Sequence, residues 1–95
     1  MVKKNSLNKE NKTLLNFPCE FIFKIVGLAQ SDFEGTAVSI MRKHFPKMSE
    51  AAVQHKLSRE GKYLSLSIRV IASSQAELDA AYQELSQNES IIFVL

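Results

Sequence analysis

Residues 53–69 read VQHKLSREGKYLSLSIR, and the pattern of this stretch decides the fold. A two-residue turn at Glu60 and Gly61 would pair the residues on either side as antiparallel strands. One face then carries three pairs that are apolar except for one histidine: Leu57–Leu64, His55–Leu66 and Val53–Ile68. The opposite face carries the mostly polar pairs Ser58–Tyr63, Lys56–Ser65, Gln54–Ser67 and Ala52–Arg69. A shift of one residue would mix the two faces, so the sequence predicts a β-hairpin in this register.

The segment before the hairpin predicts a strand and then a helix. Residues 19–28 alternate as a strand does, with Phe21, Phe23 and Ile25 on one face and Ile22, Lys24 and Val26 on the other. Gly27, near the end of this strand, indicates a bend or a close approach of another part of the chain. Ser31 and Glu34 have the spacing of a capping box, which marks the start of a helix. Apolar residues then recur at helical spacing until Pro46: Phe33, Ala37, Ile40, Met41 and either His44 or Phe45.

The segment after the hairpin predicts a second helix and a last strand. Ser74 and Glu77 form another capping box. The positions i, i+3, i+4 and i+7 that follow it are apolar or aromatic, as in an amphipathic helix: Leu78, Ala81, Tyr82 and Leu85. Asn88 is suited to end this helix. Residues 91–95 read IIFVL and predict a short apolar strand.

These elements follow one another in the order βαββαβ, which defines the expected fold class. Two right-handed crossovers turn this order into an α+β, ferredoxin-like sandwich. The sandwich has a four-stranded antiparallel sheet of order 4-1-3-2 and two helices on one face. The strand that contains Val53 and the strand that contains Ile91 are then the two edges of the sheet.

Charge and composition divide the chain into two parts. Residues 1–12 hold four lysines and one glutamate, a balance of +3, whereas the whole chain carries +2. The remaining residues therefore carry about −1, and the basic character belongs to the N-terminal segment. We expect residues 1–13 to be a disordered basic tail and residues 14–95 to be a single ferredoxin-like domain.

The location of the protein is predicted from what the sequence lacks. Cys19 is the one cysteine, so no disulfide can staple a secreted domain. The N-terminal lysines are not followed by the apolar segment of a signal peptide. No apolar run approaches the roughly 20 residues that cross a bilayer. We therefore expect a cytoplasmic protein that does not bind membranes.

A chain that starts at Thr13 is expected to melt within a few degrees of the full chain. The first twelve residues are charged or polar and carry no apolar anchor that could pack on the domain. Thermal unfolding followed by circular dichroism measures the difference. A large drop in melting temperature would show instead that this segment packs against the fold.

The run from Leu14 to Leu95 resembles the YbeD-like proteins, a bacterial family of small uncharacterised cytoplasmic domains. The matching pieces are Phe17-Pro18, residues 23–27, the hairpin residues Ser58, Gly61, Tyr63 and Ser65, the helix residues Tyr82 and Leu85, and Val94-Leu95. The resemblance implies a ferredoxin-like fold similar to the ACT regulatory domains, and it implies no established activity. Members are encoded near lipoate-attachment enzymes, which hints at a regulatory role there. Amino-acid-binding ACT domains have an Asp-x-x-Gly loop after the first strand, whereas here Gly27 precedes Asp32.

No set of residues in the sequence has the pattern of a catalytic or metal site. His44 and His55 lie on a helix end and an edge strand, and Cys19 begins a strand, so these residues do not share metal-ligand spacing. His55 is expected to be partly buried and hydrogen-bonded on the helix-covered face of the hairpin, and His44 to favour its helix C-terminus. Cys19 has no CxxC partner and is expected to be inert. We predict a protein that is not an enzyme and needs no cofactor or metal.

The surface that remains is the sheet face not covered by helices. An apolar centre with a polar rim is typical of a protein contact, and the apolar last strand lies at an edge without charges or proline. The candidate interaction residues are Ile22, Lys24, Val26, Lys56, Tyr63, Ser65, Arg69 and, from the last strand, Ile92 or Val94. We expect a non-enzymatic regulatory or adaptor domain that binds an unknown protein partner or a second copy, with a small ligand as a further option.

Weak nucleic-acid binding through the same face is the alternative. The element order is shared with RNA-recognition modules, which stack bases on aromatic residues of the first and third strands. Here the open face of the third strand offers one aromatic residue, Tyr63, and the aromatics Phe21 and Phe23 of the first strand point to the core. Nucleic-acid binding is therefore the less favoured interpretation.

Overall fold

The computed structural model describes residues 16–95 of the chain. The tail expected at residues 1–13 lies outside the described residues. The elements in chain order are β1 (Cys19–Leu28), α1 (Phe33–His44), a 3₁₀ turn (Glu50–Ala52), β2 (Val53–Leu57), β3 (Tyr63–Ala72), α2 (Gln75–Gln87) and β4 (Ile91–Val94). The predicted order βαββαβ is confirmed.

The four strands form one antiparallel sheet. Its order is β2-β3-β1-β4, which is the predicted 4-1-3-2 order read from the other edge. The two central strands pair over ten residues, from Cys19 opposite Ala72 to Leu28 opposite Tyr63. The predicted α+β ferredoxin-like fold is confirmed.

The β2–β3 hairpin has the predicted register. Each of the five pairs from Val53–Ile68 to Leu57–Leu64 is present. The connection is longer than predicted, because it includes residues 59–62. The Gly61 N–H donates to the Ser58 carbonyl at 2.9 Å, and Gly61 has a φ of +78°. A glycine suits this position because a side chain is strained at positive φ.

The core lies between one face of the sheet and the two helices. Inward side chains of β1 and β3 meet the apolar faces of α1 and α2 in one continuous cluster. Its fully buried large side chains are Phe23, Ile25, Phe33, Met41, Leu66, Ile68 and Leu85. The other face of the sheet carries no helix within the described residues. That second face is called the open face below.

The two predicted capping boxes differ in outcome. At α2, the Ser74 Oγ accepts from the Glu77 N–H at 3.2 Å, as predicted. The box at α1 is wrong. Its N-cap is Asp32, which makes no side-chain cap, and Ser31 instead donates to the Leu28 carbonyl and accepts from the Phe33 N–H.

Three residues expected on the buried side are exposed. Leu57 is 55% exposed and Tyr82 is 48% exposed. The His55 ring is 48% exposed and contacts Glu34 of α1, with 2.5 Å between Nε2 and Oε2. Leu57 and His55 follow Val53 on an edge strand, and Val53 is the β2 residue that packs against the core. The helices thus cover the beginning of β2 and leave its end open.

Candidate interaction surface on the open sheet face

The open face is built from side chains that alternate with the core residues of the same strands. Val26 and Lys24 of β1 lie opposite Ser65 and Ser67 of β3. Lys56 of β2 lies opposite Ser65 from the other side. Five predicted surface residues, Lys24, Val26, Lys56, Tyr63 and Ser65, are therefore brought together there. Ile22 and Arg69 form a further pair on this face.

A bulge in the pairing of β4 changes which of its residues reach the open face. Val26 lies opposite Phe93, and Gly27 lies opposite Ile91, so Ile92 is an extra residue. Val94 pairs with Ile25 and is buried in the core, so its predicted place on the open face is wrong. Phe93 takes that place and is 47% exposed. Ile92 is half exposed at the bulge.

A shallow groove of about 320 Å³ runs over the open face. Its lining residues come from all four strands and the hairpin: Lys24, Val26, Lys56, Leu57, Ser58, Tyr63, Ser65, Phe93 and Leu95. Leu95 continues the pairing beyond β4, because its N–H donates to the Lys24 carbonyl at 2.7 Å. Leu57, Phe93 and Leu95 were not among the predicted surface residues, and Ser58 was placed on this face by the hairpin register without being a candidate. The register of β4 shifts beside Gly27, where the sequence indicated a bend or a close approach.

The charge on the open face is mainly positive. Arg69 lies 3.6 Å from Glu20, measured from Nε to Oε2. Lys24 and Lys56 form no ion pair within residues 16–95. Lys62 lies over the Tyr63 ring, with its Nζ 5.4 Å from the ring centroid. An incoming anionic group would thus meet two lysines that no aspartate or glutamate of residues 16–95 pairs with.

The two edges of the sheet differ in how they discourage pairing. β2 carries His55 and Lys56, and charged residues make an edge strand a poor template for another strand. β4 carries neither a charged residue nor a proline. No other strand of the described residues pairs with its outer side. Among residues 16–95, the β4 edge next to Phe93 is therefore the less protected of the two.

Three ionisable groups away from the open face link the two helices. Lys43 and His44, at the end of α1, hydrogen-bond to Glu84 of α2 at 2.7 and 2.8 Å. These two contacts, led by the one from Lys43, hold the pKa of the Glu84 carboxyl below its ordinary value. His44 therefore joins the two helices, a role beyond the predicted one at its own helix end. Cys19 is half-buried, and residues 16–95 contain no cluster of three or more metal-ligating side chains.

Comparison with known proteins places the chain in a family. The model of the family described as "Protein of unknown function (DUF493)" matches residues 12–95. The chain belongs to the DUF493 family. Curated relatives named UPF0250 protein include one from Vesicomyosocius okutanii, 36% identical over 90 residues that cover 95% of this chain and 98% of the relative. Another, from Nitrosomonas europaea, is 32% identical over 84 residues, which cover 88% of this chain and 97% of the relative.

Membership of DUF493 confirms the resemblance to the YbeD-like proteins. A solution structure of protein HP0495 from H. pylori matches with a TM-score of 0.68, and the match covers 85% of each chain. The sequence identity is 16%, so this match supports the fold alone. The DUF493 family has no assigned activity. Within residues 16–95, none of the helices is both long and apolar enough to span a bilayer.

Proposed function

We propose that this DUF493 protein is a non-enzymatic adaptor or regulatory domain that binds a protein partner through its open face and the β4 edge. The observation that carries the proposal is an apolar groove that residues 16–95 leave uncovered, with the unpaired β4 edge beside it. Phe93 and Leu95 are 47% and 68% exposed, and both line the groove. Exposed apolar groups that adjoin one another and have a polar rim are typical of protein contacts.

The neighbouring genes of YbeD-like proteins direct the choice of first partners. Members of that family tend to be encoded near lipoate-attachment enzymes, which makes those enzymes the first proteins to test for binding. A volume of about 320 Å³ is at the small end of ligand pockets. A small ligand is therefore a secondary option, bound beneath a partner rather than alone.

Val26→Asp is expected to abolish partner capture from a native bacterial lysate. A carboxylate at the centre of the groove would be desolvated by any partner that covers it, which disfavours binding. Phe93→Asp makes the same test from the β4 edge. Tyr82→Asp is the matched control, since Tyr82 is a similarly exposed aromatic residue on α2. Captured proteins are identified by mass spectrometry, and melting temperatures verify that each variant folds.

The proposal predicts at least one protein that wild type and Tyr82→Asp capture and that both open-face variants lose. The proposal would be contradicted if the wild type and all three variants captured the same proteins. It would also be contradicted if the wild type captured no protein.

Nucleic-acid binding remains the second candidate, because one observation favours it. The bulge adds Phe93 to Tyr63 as an exposed aromatic residue on the open face. Against it, Lys62 already lies on the Tyr63 ring, and the central strands present Val26, Ser65 and aliphatic or charged neighbours where stacking aromatics are needed.

A further inference from the structure

The cross-strand rows give the open face the shape of a trough. One row reads Lys56, Ser65, Val26 and Phe93 from edge to edge. Its outer members are long and its inner members are short, so the floor lies over β3 and β1. Lys56 and Phe93 form the walls of the trough. Their strands are three strand spacings apart, about 14 Å. An α-helix with its side chains is about 10–12 Å across, so one helix fits between these walls.

The charged residues that line the trough indicate the sign of the charge that a bound segment would carry. Two lysines line it, and no aspartate or glutamate of residues 16–95 does. The carboxylates near the helices lie on the other layer, where Glu34, Glu77 and Glu84 are already hydrogen-bonded. A second copy placed face to face would bring these lysines toward one another, which is unfavourable. An acidic partner would instead complement them.

We propose that the occupant of the open face is an acidic amphipathic helix of the partner protein. Its apolar stripe lies over Val26 between Phe93 and the aliphatic part of Lys56, and carboxylates at the border of the stripe meet the ammonium groups of Lys24 and Lys56. This is the helix-in-groove mode of recognition. The inference rests on the proposed function and adds the conformation and the charge of the bound segment.

A pair of labelled peptides tests the inference by fluorescence anisotropy. Both are amphipathic helices of about 18 residues, or roughly 27 Å in length, with leucines at the apolar positions. One has glutamate and the other glutamine at the border positions. The protein variants are Lys24→Glu and Lys56→Glu, with Lys47→Glu as the matched control. Lys47 is an exposed residue of the loop after α1, and its replacement changes the net charge by the same amount.

The glutamate peptide is expected to bind wild type and Lys47→Glu alike, and to bind each groove variant about tenfold more weakly. The glutamine peptide should bind wild type more weakly, and added salt should reduce the difference between the peptides. In ¹⁵N-labelled protein, the amides of Lys24, Val26 and Ser65 should shift with the peptide while those of α2 do not.

Four results would overturn the inference. The first is equal binding of the two peptides, and the second is binding of neither peptide at high micromolar concentration. The third is tighter binding of single-stranded oligouridylate RNA than of the glutamate peptide, with the RNA binding weakened in Lys24→Glu and Lys56→Glu. The fourth is a wild-type dimer, seen by sedimentation equilibrium, that Val26→Asp dissociates. The first two results would contradict the helix inference alone. The proposed function would still hold if Val26→Asp lost partner capture from the lysate.

Discussion

Replacing Gly27 by alanine is expected to lower the free energy of unfolding by about 2–3 kcal/mol, because the added methyl group has no space. A Cβ on Gly27 would lie 2.4 Å from the Cγ of Phe33 and 2.6 Å from both Cδ atoms. Phe33 is completely buried and begins α1, so its ring cannot move aside without displacing the core. The close approach that the sequence indicated at Gly27 is thus the contact that seats α1 on the sheet.

Urea unfolding of the wild type and Gly27→Ala measures this loss. Gly35→Ala is the matched control, since a Cβ there meets only the Asp32 side chain, at 3.3 Å. Gly35 lies in the first turn of α1, where alanine is favoured by up to about 1 kcal/mol. In a double-mutant cycle, Phe33→Leu should recover part of the loss from Gly27→Ala. Equal effects of the two glycine substitutions would refute the steric explanation.

Replacing Leu66 by alanine is expected to cost about 2–4 kcal/mol, because it leaves a cavity in the centre of the core. Leu66 is fully buried in β3 and pairs with Ile25 on one side and His55 on the other. Its neighbour Ser65 points to the open face, where its hydroxyl donates to the Lys56 carbonyl at 3.3 Å. Ser65→Ala should therefore be nearly neutral, since a hydrogen bond at an exposed site contributes little.

The same urea experiment compares Leu66→Ala with Ser65→Ala in adjacent positions of one strand. A large loss for the first and almost none for the second follows from the alternation of the strand. Similar losses for both would mean that the open face is buried in solution, against the exposure on which the proposed function depends.

The hairpin register followed from the sequence because each strand position is either buried or exposed. With Leu64, Leu66 and Ile68 alternating with serines, one register separates the two classes, and a slip would expose the whole apolar set. The length of the turn does not follow from this separation. Gly61 marked the position of positive φ, but a four-residue loop and a two-residue turn preserve the same pairs.

The candidate surface was predicted in part, because only some strands keep strict alternation. Lys24, Val26, Lys56, Tyr63 and Ser65 lie in regular pairs, and all of them reach the groove. On β4 the bulge inserts Ile92, so the residues after it change faces and Val94 goes to the core. No periodicity within residues 91–95 distinguishes these arrangements, since all five residues are apolar.

By itself the sequence determined the element order, the hairpin register and the open face of the two central strands. These depend on local periodicity and on the separation of apolar from polar side chains, which are properties of the chain. Tertiary structure alone decided that Phe93 replaces Val94 on that face, that Glu34 turns to His55 instead of capping α1, and that Leu57 stays exposed. They depend on the pairing of β4 with β1, on the contact between α1 and β2, and on how much of β2 the helices cover. All three are set by packing between residues remote in the chain.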